Sequence, residues 1–151
     1  AVIDEARSKM PYEKKDNILT EEERSLFDAL REAVKEKDYG VLAKVRLVDV
    51  VELPRGIDNW LTYWHKINNR LVDFVIYDHA DTEPIAAISL SLPPDTKGEA
   101  VERHKVLSEV FAHIKLPLIL LPLQSEYDAS ELAVKITEAV EDSGFDAVPG
   151  D

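Results

Sequence analysis

The run Leu71-Val72-Asp73-Phe74-Val75-Ile76-Tyr77 is followed by the polar Asp78-His79-Ala80-Asp81-Thr82-Glu83 and then by Ile85-Ala86-Ala87-Ile88-Ser89-Leu90-Ser91-Leu92. Two short runs rich in β-branched and apolar residues, separated by turn formers, predict an antiparallel hairpin. The second run is apolar on both faces, which places it in the middle of a sheet. Side chains alternate along a strand, so Asp73 shares a face with Leu71, Val75 and Tyr77 and interrupts an otherwise apolar or aromatic row.

Upstream of the hairpin, Thr20 with Glu23 forms a capping box that starts a helix over Glu21 to Lys37, with Leu26, Phe27, Leu30 and Val34 as its apolar stripe. Gly40 is suited to a left-handed cap at its end. Val41 to Leu53 reads as a strand, with Val41, Ala43, Val45 and Leu47 on one face, and Pro54 and Gly56 break it. A short helix over Asp58 to Asn69 carries Trp60 and Trp64 as core anchors.

Downstream, Pro93, Pro94 and Gly98 mark a loop, and Glu99 to Lys115 has helical spacing with Leu107, Val110, Phe111 and Ile114 inward. A buried strand over Pro117 to Leu121 follows. Asp128 with Glu131 caps a last helix that uses Leu132, Ile136, Ala139 and Val140 and stops before Gly144. A strand reached from the hairpin through a helix needs a crossover, so the sheet is expected to be mixed, four-stranded and covered by helices on both faces. Residues 1–17 read as an N-terminal arm, 18–145 as the domain and 146–151 as a tail.

A chain of 151 residues with 45% hydrophobic content suits one domain that buries about two-thirds of its unfolded surface. The absence of cysteine excludes disulfides, thiolate metal sites and a catalytic thiol. Nothing reaches the roughly 18 apolar residues of a membrane span, and the apolar run Leu116 to Leu123 reads as core strand, so no membrane contact is expected. A cytoplasmic location is expected. The chain opens on Ala1 with Met10 inside, which reads as a fragment with room for an upstream membrane anchor. The net charge of −12, from 18 basic and 30 acidic residues, disfavours nucleic acid as a partner. The best basic cluster, Lys97, Arg103 and Lys105, is neutralised by Asp95, Glu99 and Glu102.

Known catalytic patterns are missing. His65, His79 and His113 lie on separate elements, no pair of histidines has HExxH spacing, and neither Ser89 nor Ser91 sits in a GxSxG or SxxK context. The five glycines are dispersed, so no phosphate loop is present.

Several segments in order, Pro11-Tyr12-Glu13-Lys14-Lys15-Asp16, Leu19-Thr20-Glu21-Glu22-Glu23, Val45-Arg46-Leu47-Val48-Asp49-Val50, Ile67 with Arg70-Leu71-Val72-Asp73-Phe74-Val75, and Leu116-Pro117-Leu118, carry a resemblance. The chain resembles the bacterial domain-of-unknown-function family 2726, of the restriction-endonuclease-like, PD-(D/E)xK, superfamily and related to very-short-patch repair endonucleases. The resemblance implies a three-layer α/β/α fold around a mixed four-stranded sheet. It also implies a magnesium site with one acid on the first hairpin strand and two more, two residues apart, on the next.

Asp73 matches the first acid. Ser89 and Ser91 stand where the acid pair is expected, with Leu92 at a further acidic place, and serine hydroxyls are poor magnesium ligands. On the following helix, Arg103 is followed by His104 in place of an acid, and Leu107 aligns with the lysine. The expectation is a nuclease-like domain that does not cut. Asp73, Ser89, Ser91, Arg103 and His104 form its degenerate pocket, with no catalytic residue, metal or cofactor, and an unidentified protein is its partner. The bland reading of Asp73 is a structural carboxylate, paired with Arg70 or bonded to backbone amides; that of His104 is a half-buried histidine against the sheet. The alternative is an active magnesium nuclease in which Glu99 or Glu102 joins Asp73, with Lys105 or Lys97 supplying the positive charge. A third possibility is a partner-binding domain with no use for the pocket, marked by an exposed apolar patch away from Asp73.

Overall fold

The computed structural model describes residues 9–91 and 95–143. Expectations on residues 1–8, on Leu92, Pro93 and Pro94, on Gly144 and on the 146–151 tail lie outside the described residues. Among the described residues, helix α1 (Glu21–Val34) leads to strand β1 (Tyr39–Arg46) and helix α2 (Trp60–Ile67). The hairpin β2 (Leu71–Asp78) and β3 (Pro84–Leu90), helix α3 (Glu99–His113), strand β4 (Leu118–Leu121) and helix α4 (Ala129–Asp142) follow. The sheet order is β1-β2-β3-β4. β2 pairs antiparallel with β1 and β3, and β4 lies parallel to β3 across the α3 crossover. β3 is therefore central, as its two-sided apolar pattern requires, and Ile85 to Ser89 are all buried.

Helices cover both faces. Leu26, Leu30 and Val34 of α1 and Leu132 and Ile136 of α4 pack on Phe74, Ile76, Ala86 and Ile88. Ile67 of α2 with Leu107 and Phe111 of α3 packs on Val72, Val75 and Ala87 on the opposite face. Trp64 joins this second cluster, whereas Trp60 is absent from it and stacks on Trp64 at 5.3 Å between ring centroids.

The capping box forms as expected. The Thr20 hydroxyl accepts from the Glu23 amide at 3.1 Å, and the Glu23 carboxylate accepts from the Thr20 amide at 2.8 Å. The Lys44 ammonium stands 3.5 Å from the other Glu23 oxygen. The Thr20 amide, aided by the Lys44 charge, holds the Glu23 carboxyl below its ordinary value against the opposing effect of burial. At the other end, the Asp128 carboxylate accepts from the amides of Ser130 and Glu131 and caps α4.

Four expectations are corrected. The left-handed residue after α1 is Asp38, at φ 60°, following a 3-10 turn over Lys35–Lys37; Asp tolerates that region better than most residues. Gly40 instead lies inside β1, where a Cβ would sit 2.5 Å from the outer end of the Tyr77 ring, so a side chain there must displace that ring; close approach and not φ favours glycine. The first strand stops at Arg46, well short of Leu53. Leu47 donates its amide to the Arg70 carbonyl at 2.8 Å and enters a 3-10 turn spanned by a two-pronged Arg46–Asp49 ion pair.

Nor do Val41, Ala43, Val45 and Leu47 share one face. Lys44 takes φ 54° and drops out of the ladder between Ala43↔Phe74 and Val45↔Val72. One left-handed residue turns the strand over, so Val41 and Ala43 face α1 and α4 while Val45 and Leu47 face α2 and α3. Finally, Ile114 lies beyond the end of α3 and is 37% exposed, not inward.

Candidate functional site

The β2–β3 ladder runs from Tyr77↔Pro84 to Phe74↔Ile88 and goes no further. Beyond that point β2 continues with β1 alone, through Val72 and Leu71, while β3 continues with β4 through Ser89 and Leu90. Two strands that diverge within a sheet leave backbone donors without partners, and each must be satisfied some other way. Asp73 does this: its Oδ2 accepts from the Leu90 amide at 2.8 Å and replaces the missing rung. Of the two bland readings, the bond to a backbone amide is the one realised. Arg70 is not paired with Asp73; its Nε donates to the Lys66 carbonyl at the end of α2.

The divergence opens a cavity of about 350 Å³ under α3. Asn69, Arg70, Leu71, Asp73, Ser89 and Leu90 form its sheet side, and Ala100, Arg103, His104 and Leu107 line it from α3. Residues at i, i+3, i+4 and i+7 share a helix face, which is why these four converge. Four of the five residues expected in the degenerate pocket, Asp73, Ser89, Arg103 and His104, are thus brought together, while Ser91 is exposed and not part of the lining. Its amide donates to the Leu121 carbonyl at 2.7 Å, which holds the chain on the β4 side.

Glu99, Glu102 and Lys105 are exposed and do not line the cavity. Lys97 is exposed as well. Among the described residues no group of three or more His, Asp or Glu side chains is placed to hold a metal ion.

Ser89 is 5% exposed, yet its hydroxyl meets the cavity without a hydrogen-bond partner among the described residues. The side chains of Arg103 and His104 likewise form no hydrogen bond or ion pair with another described residue. Arg70 and Asn69 are lining residues that sequence reasoning missed. Their signal was position: both directly precede β2, where its divergence from β3 faces them to the cavity.

Larger hollows lie elsewhere. One of 660 Å³ runs along Phe27, Arg31, Tyr39 and Tyr77, and its charges, Asp28 and Glu32 against Arg31 and Lys35, balance. A groove of about 480 Å³ between α2 and α3 is lined by Leu53, Ile57, Tyr63, Val110 and Ile114. Size does not select the site. The small cavity is the one where a carboxylate converges with side-chain donors that have no partner among the described residues.

Fold and site together define a mixed α/β domain with a polar cavity where the two hairpin strands part. The family described as a protein of unknown function, DUF2726, matches residues 15–140, and the chain belongs to that family. No curated protein and no solved structure matches it. Among the described residues no helix is long and apolar enough to cross a membrane.

Proposed function

We propose that the chain is a restriction-endonuclease-like domain, related to the repair endonucleases, that has lost nucleic-acid cleavage and works in the cytoplasm as a binding or scaffolding module for another protein. The observation that carries this reading is the content of the cavity: one carboxylate, already bonded to a backbone amide, with a neutral buried serine where a metal site needs a second acid. A single carboxylate is a weak magnesium site, because the ion keeps its waters unless several oxygen donors replace them. The order of hairpin, helix and parallel strand, with helices on both faces, fits the superfamily layout.

The test is to incubate the purified protein with magnesium or manganese and single- and double-stranded DNA and RNA. All four substrates should remain intact. Metal-dependent cleavage that disappears in Asp73→Asn would overturn the proposal and restore the alternative in which Glu99 or Glu102 completes the site.

The apolar groove between α2 and α3 favours a second reading, in which that surface and not the polar cavity is used for partner binding. Under it, Tyr63→Glu abolishes partner capture from the host and Arg103→Ala does not; the reverse pattern favours the cavity.

A further inference from the structure

The cavity has the wrong sign for a metal and the right one for an anion. Its charged lining consists of Arg70 and Arg103 against Asp73, a formal +1 with His104 neutral (2 − 1), in a chain whose total is −12. Asp73 is further occupied by the Leu90 amide, which leaves one oxygen to act. A cation entering here would meet two guanidiniums, whereas an anion would meet them together with the imidazole of His104, the amide of Asn69 and the hydroxyl of Ser89.

The Ser89 hydroxyl is the most telling of these groups. Ser89 is 5% exposed and its hydroxyl has no partner among the described residues, so what remains accessible of it faces the cavity, where a ligand oxygen can accept from it. Arg103 is exposed at the cavity's edge with no side-chain partner among the described residues, and Arg70 uses only Nε, leaving its terminal nitrogens free of partners among the described residues.

The geometry points to a metal-independent site for a small phosphate monoester. A carboxylate has two oxygens, too few for two guanidiniums, an imidazole, an amide and a hydroxyl. A phosphoryl group offers three terminal oxygens and takes two-pronged bonds from arginine. Leu71, Leu90, Ala100 and Leu107 supply an apolar wall for the esterified group, and the free oxygen of Asp73 accepts from a hydroxyl that group carries. The volume, about 350 Å³, is at the low end of small-molecule pockets and suits a ligand of mononucleotide size or less. This inference rests on the reading of the cavity as a former metal site whose acids are gone.

The test is calorimetric titration, in the presence of EDTA, with inorganic phosphate, adenosine 5′-monophosphate, adenosine, acetate and a 5′-phosphorylated dinucleotide. Phosphate and the monophosphate bind at one site per chain, while adenosine and acetate do not. The dinucleotide separates the two sources of the same chemistry: binding equal to that of the monophosphate assigns the site to the ends of nucleic acid, weaker binding to free metabolites. Arg103→Ala weakens binding at least tenfold, Arg103→Lys by less, and Ser89→Ala several-fold with the fold intact by circular dichroism. Arg24→Ala, which removes an exposed ion-pair charge on α1, leaves binding unchanged and controls for bulk electrostatics.

Absence of saturable binding by phosphate and monophosphate, or binding untouched by Arg103→Ala, overturns the inference. In either case the reading of a non-cleaving domain stands. Metal-dependent cleavage in the nuclease assay overturns that reading separately.

Discussion

Replacing Asp73 separates its two possible roles, because the bond to the Leu90 amide and service to a ligand predict opposite changes in stability. The carboxylate accepts from a part-buried backbone N–H at 2.8 Å, at the point where the two hairpin strands stop pairing. A hydrogen bond to a charged group contributes about 1.5–3 kcal/mol, and leaving a buried donor unsatisfied costs about 1–3 kcal/mol. The cavity beside it admits water, so the orphaned amide is partly rehydrated, and Asp73→Ala should cost about 1–2 kcal/mol. For a chain of this length that lowers the melting midpoint by about 2–8 °C. Asp73→Asn keeps an acceptor oxygen in place and loses only the charge assistance, so it should cost less than half as much. Urea denaturation followed by circular dichroism, with the slopes compared to confirm that the unfolded state is unchanged, measures both. A carboxylate held in place for a ligand alone sits at a cost to the fold, and removing it stabilises. Asp73→Ala at or above wild-type stability would therefore refute the structural role, as would Asp73→Asn as damaging as Asp73→Ala.

Two further outcomes test the fold. Gly40→Ala forces a Cβ to within 2.5 Å of the Tyr77 ring and should destabilise by about 1–3 kcal/mol; in a Tyr77→Ala background most of that cost disappears, and an equal cost in both backgrounds would exclude the close approach as its cause. Glu23 has a folded pKa below its ordinary 4.5, so its contribution is present above that value and lost as pH falls through the folded one. Glu23→Gln should accordingly be less stable than wild type near neutral pH, with the gap closing on acidification below pH 4.5; unfolding midpoints measured against pH check this, and a gap that widens in acid contradicts it.

The helices and the hairpin were legible because each rests on local chemistry. The Thr20–Glu23 box and the Asp128 cap start α1 and α4 where their side chains can reach the first amides, and the two-sided apolar run at Ile85 to Leu90 allows only a central strand. The errors have one common cause. A period of two assumes that every residue of a strand is extended, and nothing local marks Lys44 as the residue that leaves the extended region and turns β1 over. Likewise Gly40 next to a helix end reads as a cap by proximity. The need for it comes from Tyr77, thirty-seven positions on in β2, which no local window contains.

The site was legible for a different reason: Asp73, Ser89 and His104 stand out only against a pattern of acids expected in their places. What the pattern cannot convey is why the three strand positions differ. Asp73 faces the gap where the ladder ends and carries a backbone bond there, so losing its acceptor costs stability whatever else the domain does. The Ser91 position is exposed and bonded only through its own amide, so its side chain is free to change without consequence for the sheet. Ser89 is buried beside Ala87 on the same face, where a second carboxylate without a metal would face Asp73 across the cavity and resist ionisation. Within the reading of a former metal site, loss of the ion lets like-charge repulsion and desolvation favour a small neutral residue at 89, while the Leu90 amide, which has no strand partner, favours the carboxylate at 73. The one surviving acid is thus the one the backbone requires, and because it offsets only one of the two lining arginines, the lining keeps the sign that the anion proposal needs.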